Sequence, residues 1–129
     1  MKLGRIQDVF LCSLHGGNVK VTNGQVITSC CNKTFNLEEN QIIIFDNTLL
    51  SIPEVRVRNK QAKGYLMHAK FPTQTSRMQR WISNIPKELL SGITLDLGCG
   101  PGPTTKMLLE IGARNILSVD FSINSLRIN

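Results

Sequence analysis

Three glycines at alternate positions, Gly98, Gly100 and Gly102, follow a short apolar stretch that ends at Leu97. Alternating glycines let a ligand approach the main chain more closely than side chains would allow, and they permit positive φ angles. Asp120 ends a second apolar stretch further along the chain, where a carboxylate can accept hydrogen bonds from both hydroxyls of a ribose. These residue types in this order predict a cradle for a cofactor that carries adenosine.

The charges beside this glycine turn favour a cationic cofactor over a diphosphate. Asp96 lies two residues before Gly98, and no lysine or arginine occurs from 93 to 105. With Asp96 and Asp120 both near the turn, the local field attracts a positive charge. The Gly-x-Gly-x-Gly spacing is also tighter than the Gly-x-Gly-x-x-Gly fingerprint of dinucleotide sites. This difference disfavours an NAD-dependent oxidoreductase as an alternative function.

A second group of chemically active residues lies near the N-terminus and consists of Cys12, His15, Cys30 and Cys31. Asn23-Gly24 is a hairpin turn signal that brings the first pair opposite the second. Two pairs joined by a hairpin are typical of a tetrahedral zinc site in a unit with a small core. Because the two cysteines of the second pair are adjacent, an alternative stays open in which one is a buried apolar residue and the site has three ligands or none.

Two regions of regular structure position these groups. Residues 1–50 are predicted to form a small β-rich unit whose last strand is 41–45. Residues 92–129 alternate strand and helix, with strands at 93–97 and 115–119, which predicts a right-handed βαβ unit with parallel strands. Pro103 suits the first turn of the connecting helix and Gly112 its end, and Ser122 can cap a further helix.

Residues 51–91 between these regions are predicted to be a linker or a loosely packed helix, followed by an amphipathic helix. The second helix is entered at 71–73 with Thr73 as its N-cap, and Pro86 ends it. Four ring-bearing side chains occur here, which are Tyr65, His68, Phe71 and Trp81. They fit either the roof of a ligand pocket or an amphipathic helix packed on the next domain, and the second interpretation is favoured.

Two motifs resemble those of a known enzyme superfamily. The first motif of class I S-adenosylmethionine-dependent methyltransferases is similar to Leu95-Asp96-Leu97-Gly98-Cys99-Gly100-Pro101-Gly102, and their second motif to Ser118-Val119-Asp120-Phe121-Ser122. The resemblance covers residues 92–129 and implies the start of a Rossmann-like α/β domain. It also implies S-adenosylmethionine as cofactor and methyl transfer as the reaction.

The resemblance assigns roles within these motifs. The three glycines would flank the methionine and ribose, Asp96 would support the loop or the methionine amino group, and Asp120 would hold the ribose hydroxyls. The implied cofactor-binding residues are Asp96, Leu97, Gly98, Cys99, Gly100, Gly102, Asp120, Phe121 and Ser122. No residue is indicated as a catalytic base.

The region 11–45 is similar to the zinc-ribbon-like head found before some methyltransferase domains, including those of ribosomal RNA guanine methyltransferases. It departs from that head at the adjacent Cys30 and Cys31. The methyltransferase sheet has seven strands in that superfamily, whereas 92–129 has room for two. We therefore expect the N-terminal part of a longer methyltransferase, either truncated or shortened, with little activity by itself.

Composition restricts the remaining possibilities. The chain has 129 residues, of which 41% are hydrophobic and 19% charged, which is typical of a globular protein. Its sequence shows neither a signal peptide nor an apolar run of roughly 18 residues, so we expect a cytoplasmic protein without a membrane partner. The net charge of +6 permits RNA as methyl acceptor, although the basic residues from 56 to 80 fit a solvated face at least as well, and that interpretation is favoured.

Several alternatives follow for the partner. The methyl acceptor can be RNA, a small molecule or a protein, and the sequence does not indicate an oligomeric state. A second functional class also fits the residues, namely a non-catalytic zinc-head module that binds RNA or a protein partner and keeps the cofactor motif only for folding.

Overall fold

A computed structural model describes residues 10–12, 14–38, 43–44 and 51–129 of the chain. The chain divides into two compact units, Met1–Asn47 and Thr48–Asn129. Residues 51–91 thus belong to the same unit as residues 92–129. Within the described ranges, no helix has the length and apolar character needed to cross a membrane.

The first unit is built on a four-stranded antiparallel sheet in the order β1-β2-β3-β4. The strands are β1 (Val19–Thr22), β2 (Gln25–Thr28), β3 (Thr34–Leu37) and β4 (Ile43–Ile44). The first two are joined by Asn23 and Gly24 with φ angles of 49° and 73°, as the sequence predicted. Positive φ at both positions matches the turn twist to the twist of the strands.

The predicted strand at 41–45 is described only at Ile43 and Ile44, which pair with β3. Gln41, Ile42 and Phe45 lie outside the described residues. The core of this small sheet contains Val26, which is fully buried, with Val19 and Cys12 also buried.

The second unit begins with two helices, α1 (Pro53–Ala69) and α2 (Pro72–Ile82), followed by a 3-10 turn at Lys87–Ser91. The sequence left a linker or a helix open for the start of residues 51–91, and the structure has a helix there, α1. Thr73 is not the N-cap of α2, because Phe71 occupies that position and Pro72 is the first helical residue. Proline lacks the amide hydrogen that the first turn leaves unpaired, so it suits this position.

The remaining elements are β5 (Ile93–Leu97), α3 (Pro103–Glu110), β6 (Asn115–Val119) and α4 (Ile123–Ile128). The two strands are parallel, with Ile93 opposite Asn115 and Leu97 opposite Val119, as predicted. Gly112 follows α3 with a φ of 115°, and the Ser122 hydroxyl accepts a hydrogen bond from the Ser125 amide at the start of α4. The predicted end of α3 at Gly112 and the predicted cap of α4 at Ser122 are therefore confirmed.

A small apolar core packs α2 against α3, with Ile116 of β6 beside it, and it is formed by Ile82, Leu90, Leu108 and Ala113. Trp81 was expected on the packed face of α2, but it is 74% exposed. On β5 the inward side chains are polar, whereas Ile93, Leu95 and Leu97 are exposed on the opposite face. Because these three side chains are exposed, this face of the strand is uncovered among the described residues. Parallel sheets are usually covered on both faces.

Candidate cofactor cavity and metal centre

The predicted metal ligands come together in the first unit. The ligand atoms of Cys12, His15, Cys30 and Cys31 all lie within 4.8 Å of one another. Cys12 Sγ is 3.7 Å from His15 Nδ1 and 3.8 Å from Cys31 Sγ. Ligands of a tetrahedral zinc ion are about 3.5–3.8 Å apart, given zinc bond lengths of about 2.0–2.3 Å. This group could therefore hold a metal ion such as zinc.

Two tight turns shape the centre. In the first, the Cys12 amide donates to the Gly17 carbonyl over 2.7 Å and the Gly16 amide donates to the Cys12 carbonyl over 2.8 Å. A Cβ atom at Gly17 would lie 2.6 Å from Cys30 Cβ. Such a distance is far inside van der Waals contact, so only glycine lets this turn close on Cys30.

The second turn explains how two adjacent cysteines face one site. Residues 29–31 form a turn, closed by a 3.0 Å hydrogen bond from the Asn32 amide to the Thr28 carbonyl. The side chains of an extended strand alternate in direction, but those of a turn do not. Cys30 Sγ and Cys31 Sγ are consequently 4.0 Å apart.

The thiols of this centre differ in their readiness to ionise. The Leu14 amide lowers the pKa of Cys12 to about 7, and the Thr28 hydroxyl lowers the pKa of Cys31. Desolvation raises the pKa of Cys30. Metals bind the thiolate form of cysteine. Because its pKa is lowered to about 7, Cys12 is the thiol of this centre best suited to bind a metal at neutral pH.

The glycine turn between β5 and α3 has the backbone that its sequence predicted. Gly98, Gly100 and Gly102 have φ angles of 74°, 54° and 87°. The Gly98 amide donates to the Val119 carbonyl over 2.7 Å, and the Gly100 amide donates to Asp120 Oδ2 over 2.9 Å. The turn is thus tied to the end of β6.

The Asp120 carboxylate organises its own loop as well. Its Oδ1 atom accepts a 2.7 Å hydrogen bond from the Ser122 amide, while Oδ2 accepts from the Gly100 amide. A carboxylate offers about four acceptor positions, so each oxygen keeps acceptor capacity toward a ligand. Its fixed orientation is suited to hydroxyl donors.

A cavity of about 640 Å³ opens at this turn, entirely within the second unit. One wall is the glycine turn together with the loop after β6, and another wall comes from α1 and α2. Its lining residues include Arg58, Tyr65, His68, Gln74, Met78, Pro101, Thr104 and Ser125. Of the four ring-bearing side chains considered for a roof, Tyr65 and His68 line the cavity and Phe71 and Trp81 do not.

The nine predicted cofactor-binding residues separate into two groups. Those that line the cavity are Gly98, Cys99, Gly100, Asp120, Phe121 and Ser122. Asp96, Leu97 and Gly102 do not line it. Asp96 is buried beneath the turn and accepts a 2.6 Å hydrogen bond from Thr105 Oγ1, Leu97 is exposed on the outer face, and Gly102 precedes α3.

Cys99 contributes a neutral side chain to the cavity wall. It is buried, and this burial raises the pKa of its thiol to about 11. The thiolate is the nucleophilic form of cysteine. At neutral pH, Cys99 therefore acts as a small apolar residue beside the ligand space.

The sequence suggests Tyr65 and His68 of α1 for this site but gives no sign of Arg58. The Arg58 guanidinium, which lines the cavity, donates to the Tyr65 hydroxyl and to Glu54. The buried or half-buried residues of α1 form a stripe of Val55, Arg58, Asn59, Ala62, Leu66 and Ala69. These residues recur at helical spacing, but polar and small members among them conceal the stripe from a search for hydrophobic periodicity.

No protein-family model, curated protein or solved structure matches this chain. The cavity and the metal centre are therefore the features of the molecule that bear on its function.

Proposed function

We propose that the second unit binds S-adenosylmethionine in the cavity at the glycine turn and acts in methyl transfer. The observation that carries this proposal is the hydrogen bond from the Gly100 amide to Asp120. This bond joins the glycine turn after β5 to the Asp120 carboxylate after β6. Ligands of open α/β sheets bind at this end of the strands.

The charge on the glycine-turn side of the cavity supports a cationic cofactor. Asp120 lines the cavity beside the turn, and no lysine or arginine occurs from 93 to 105. A diphosphate would lie against a carboxylate without a nearby cation from the turn, whereas a sulfonium would be attracted. Arg58 lines the cavity from α1 instead, where it also bonds Glu54.

The cavity has a suitable size for such a ligand. Its volume of about 640 Å³ lies within the range of about 300–1,000 Å³ typical of small-molecule sites. Asp120 can accept hydrogen bonds from the ribose hydroxyls. The glycines leave space beside the protein backbone for the methionine part of the ligand. Tyr65 offers a ring on the α1 wall.

The reaction needs little from the protein beyond alignment. S-adenosylmethionine, when bound, supplies a methyl group already activated by its positively charged sulfur. The residues of the cavity would orient the cofactor and exclude water, which favours transfer to a correctly placed acceptor. The acceptor can be RNA, a small molecule or a protein. Its own nucleophile would form the bond to the methyl carbon while the carbon–sulfur bond breaks and the neutral thioether leaves.

The metal centre favours a second candidate function for the first unit. Cys12, His15, Cys30 and Cys31 are grouped in a small sheet, and zinc stabilises such units. This unit would then be a zinc head that binds RNA or a protein partner. If the glycine turn served folding alone, the whole chain would be such a module and not an enzyme.

Calorimetric titration of the full chain distinguishes these functions. We expect binding heat with S-adenosylmethionine and with S-adenosylhomocysteine, and none with NADH. A chain that binds neither sulfur-containing ligand would contradict the proposal and favour the zinc-head module. Tight NADH binding without a response to S-adenosylhomocysteine would instead favour an oxidoreductase.

A further inference from the structure

Asn59 on α1 holds the segment that follows Asp120. Its side-chain Oδ1 accepts two hydrogen bonds, from the Ser122 hydroxyl over 2.9 Å and from the Asn124 amide over 3.1 Å. Its main-chain carbonyl accepts a third, from Asn124 Nδ2 over 3.1 Å. One residue of α1 thus fixes three donors more than 60 residues later in the chain.

One of these contacts gives an acceptor to a backbone amide at the start of α4. The first amides of a helix have no partner within the helix. The Ser122 hydroxyl accepts from the Ser125 amide, and Asn59 accepts from the Asn124 amide. Asn59 therefore contributes to the capping of α4 from a neighbouring helix.

The same contacts lead directly to the cavity. Ser122, whose hydroxyl donates to Asn59, also donates its amide to Asp120 Oδ1. Asp120 Oδ2 then accepts from the Gly100 amide. A continuous series of hydrogen bonds runs from α1 to the glycine turn, and Asp120 is in its centre.

We propose that Asn59 is a positioning residue that orients the Asp120 carboxylate toward the ribose hydroxyls of the cofactor. The inference rests on the proposed function, because it assigns Asp120 to those hydroxyls. Asn59 does not line the cavity, so it acts through Ser122 and not by touching the ligand. A misplaced Asp120 loses the hydroxyl bonds first, since hydrogen bonds depend steeply on geometry.

The test compares two probes on the full chain, S-adenosylhomocysteine and its 2′,3′-dideoxy analogue. The unsubstituted protein should bind the hydroxylated probe about tenfold or more tightly, since hydrogen bonds to a charged group are strong. Asn59→Leu should reduce this ratio to about threefold or less. Asn59→Asp keeps an accepting oxygen in the same shape and should restore most of it.

Gln61→Leu provides the matched control, because Gln61 is an exposed polar residue on the same helix. It should leave the ratio unchanged. Circular dichroism reports whether each variant folds, and Asn59→Gln, which displaces the accepting oxygen by one methylene, carries the same test if Asn59→Leu does not fold.

The outcomes separate this inference from the proposed function. If the unsubstituted chain binds S-adenosylhomocysteine and Asn59→Leu weakens both probes equally, Asn59 is merely structural and the inference is overturned alone. If the unsubstituted chain binds neither probe, the proposed function fails and this inference fails with it. A ratio that falls in Asn59→Leu and returns in Asn59→Asp supports both.

Discussion

The Asp120 carboxylate accepts a 2.9 Å hydrogen bond from the Gly100 amide, which connects the ends of the two parallel strands. This contact holds the glycine turn in its positive-φ form. A turn held in one conformation loses less conformational entropy when it binds a ligand. Asp120 is thus a structural acceptor for the turn and the proposed acceptor for ribose.

The first prediction concerns Asp120→Ala. The Gly100 and Ser122 amides lose their acceptor, so the free energy of unfolding should fall by about 1–3 kcal/mol. Affinity for S-adenosylhomocysteine should fall at least about tenfold. Chemical denaturation and calorimetry measure the two effects. Glu110→Ala, which removes an exposed carboxylate on α3, should change neither substantially, and an Asp120→Ala chain with normal affinity would refute the assignment.

The parallel strand pair was predictable because local signals agree with tertiary packing there. Pro103, Gly112 and Ser122 sit where the structure begins or ends α3 and α4, since caps and turns depend on backbone chemistry that single residues supply. The hairpin at Asn23-Gly24 followed for the same reason.

The parts that sequence could not predict depend on contacts between distant segments. Asn59 bonds to Ser122 and Asn124, and no short-range pattern marks an asparagine that caps a helix from outside. Trp81 is the opposite case. Its hydrophobic side chain and its place in a helical pattern suggested that it is buried, but it is exposed. Periodicity identifies a helical face but not the elements that cover it.

The metal centre combines both situations. Cysteine and histidine with a hairpin between them indicated the site, and the structure groups all four side chains. The adjacency of Cys30 and Cys31 weakened the pattern, because the sequence does not show that residues 29–31 form a turn. Once the backbone turns, adjacent side chains can face one ion.

A second prediction uses Gly17, the glycine against which Cys30 packs. Gly17→Ala would place a Cβ atom 2.6 Å from Cys30 Cβ, so the two turns must separate. We expect zinc affinity to fall about tenfold or more, since displaced ligands no longer match zinc geometry. Competition with a chromophoric chelator measures it. Gly64→Ala, where the new Cβ would enter open space, should bind zinc normally; equal affinity in both variants would contradict the geometry.

The third prediction is the pH dependence of zinc binding. Zinc binds thiolates, so protons compete with it and affinity falls as pH falls. Because the Leu14 amide holds the pKa of Cys12 at about 7, one more proton must be displaced below that pH. The slope of log affinity against pH should therefore steepen by about one as pH falls through about 7.

Chelator competition between about pH 6 and pH 8 provides this slope. Cys99→Ser is the control, since Cys99 is outside the metal centre and should leave the profile unchanged. A slope that stays constant across neutral pH would show that Cys12 does not ionise there or does not bind the metal.

The fourth prediction concerns the support beneath the glycine turn. Thr105 Oγ1 donates a 2.6 Å hydrogen bond to the buried Asp96 carboxylate. Thr105→Val keeps the shape but removes the donor, and the free energy of unfolding should fall by about 1–3 kcal/mol. Urea denaturation measures the change. Thr73→Val, at an exposed position in α2, should be nearly neutral; a similarly neutral Thr105→Val would show that Asp96 does not need this partner.

An NMR titration of the full chain with S-adenosylhomocysteine tests whether this ligand binds at the glycine turn. We predict that the amide signals of Gly98, Gly100 and Ser122 shift together and saturate, while that of Val26 in the first unit stays in place. Signals that do not move, or shifts that avoid the glycine turn, would contradict this prediction.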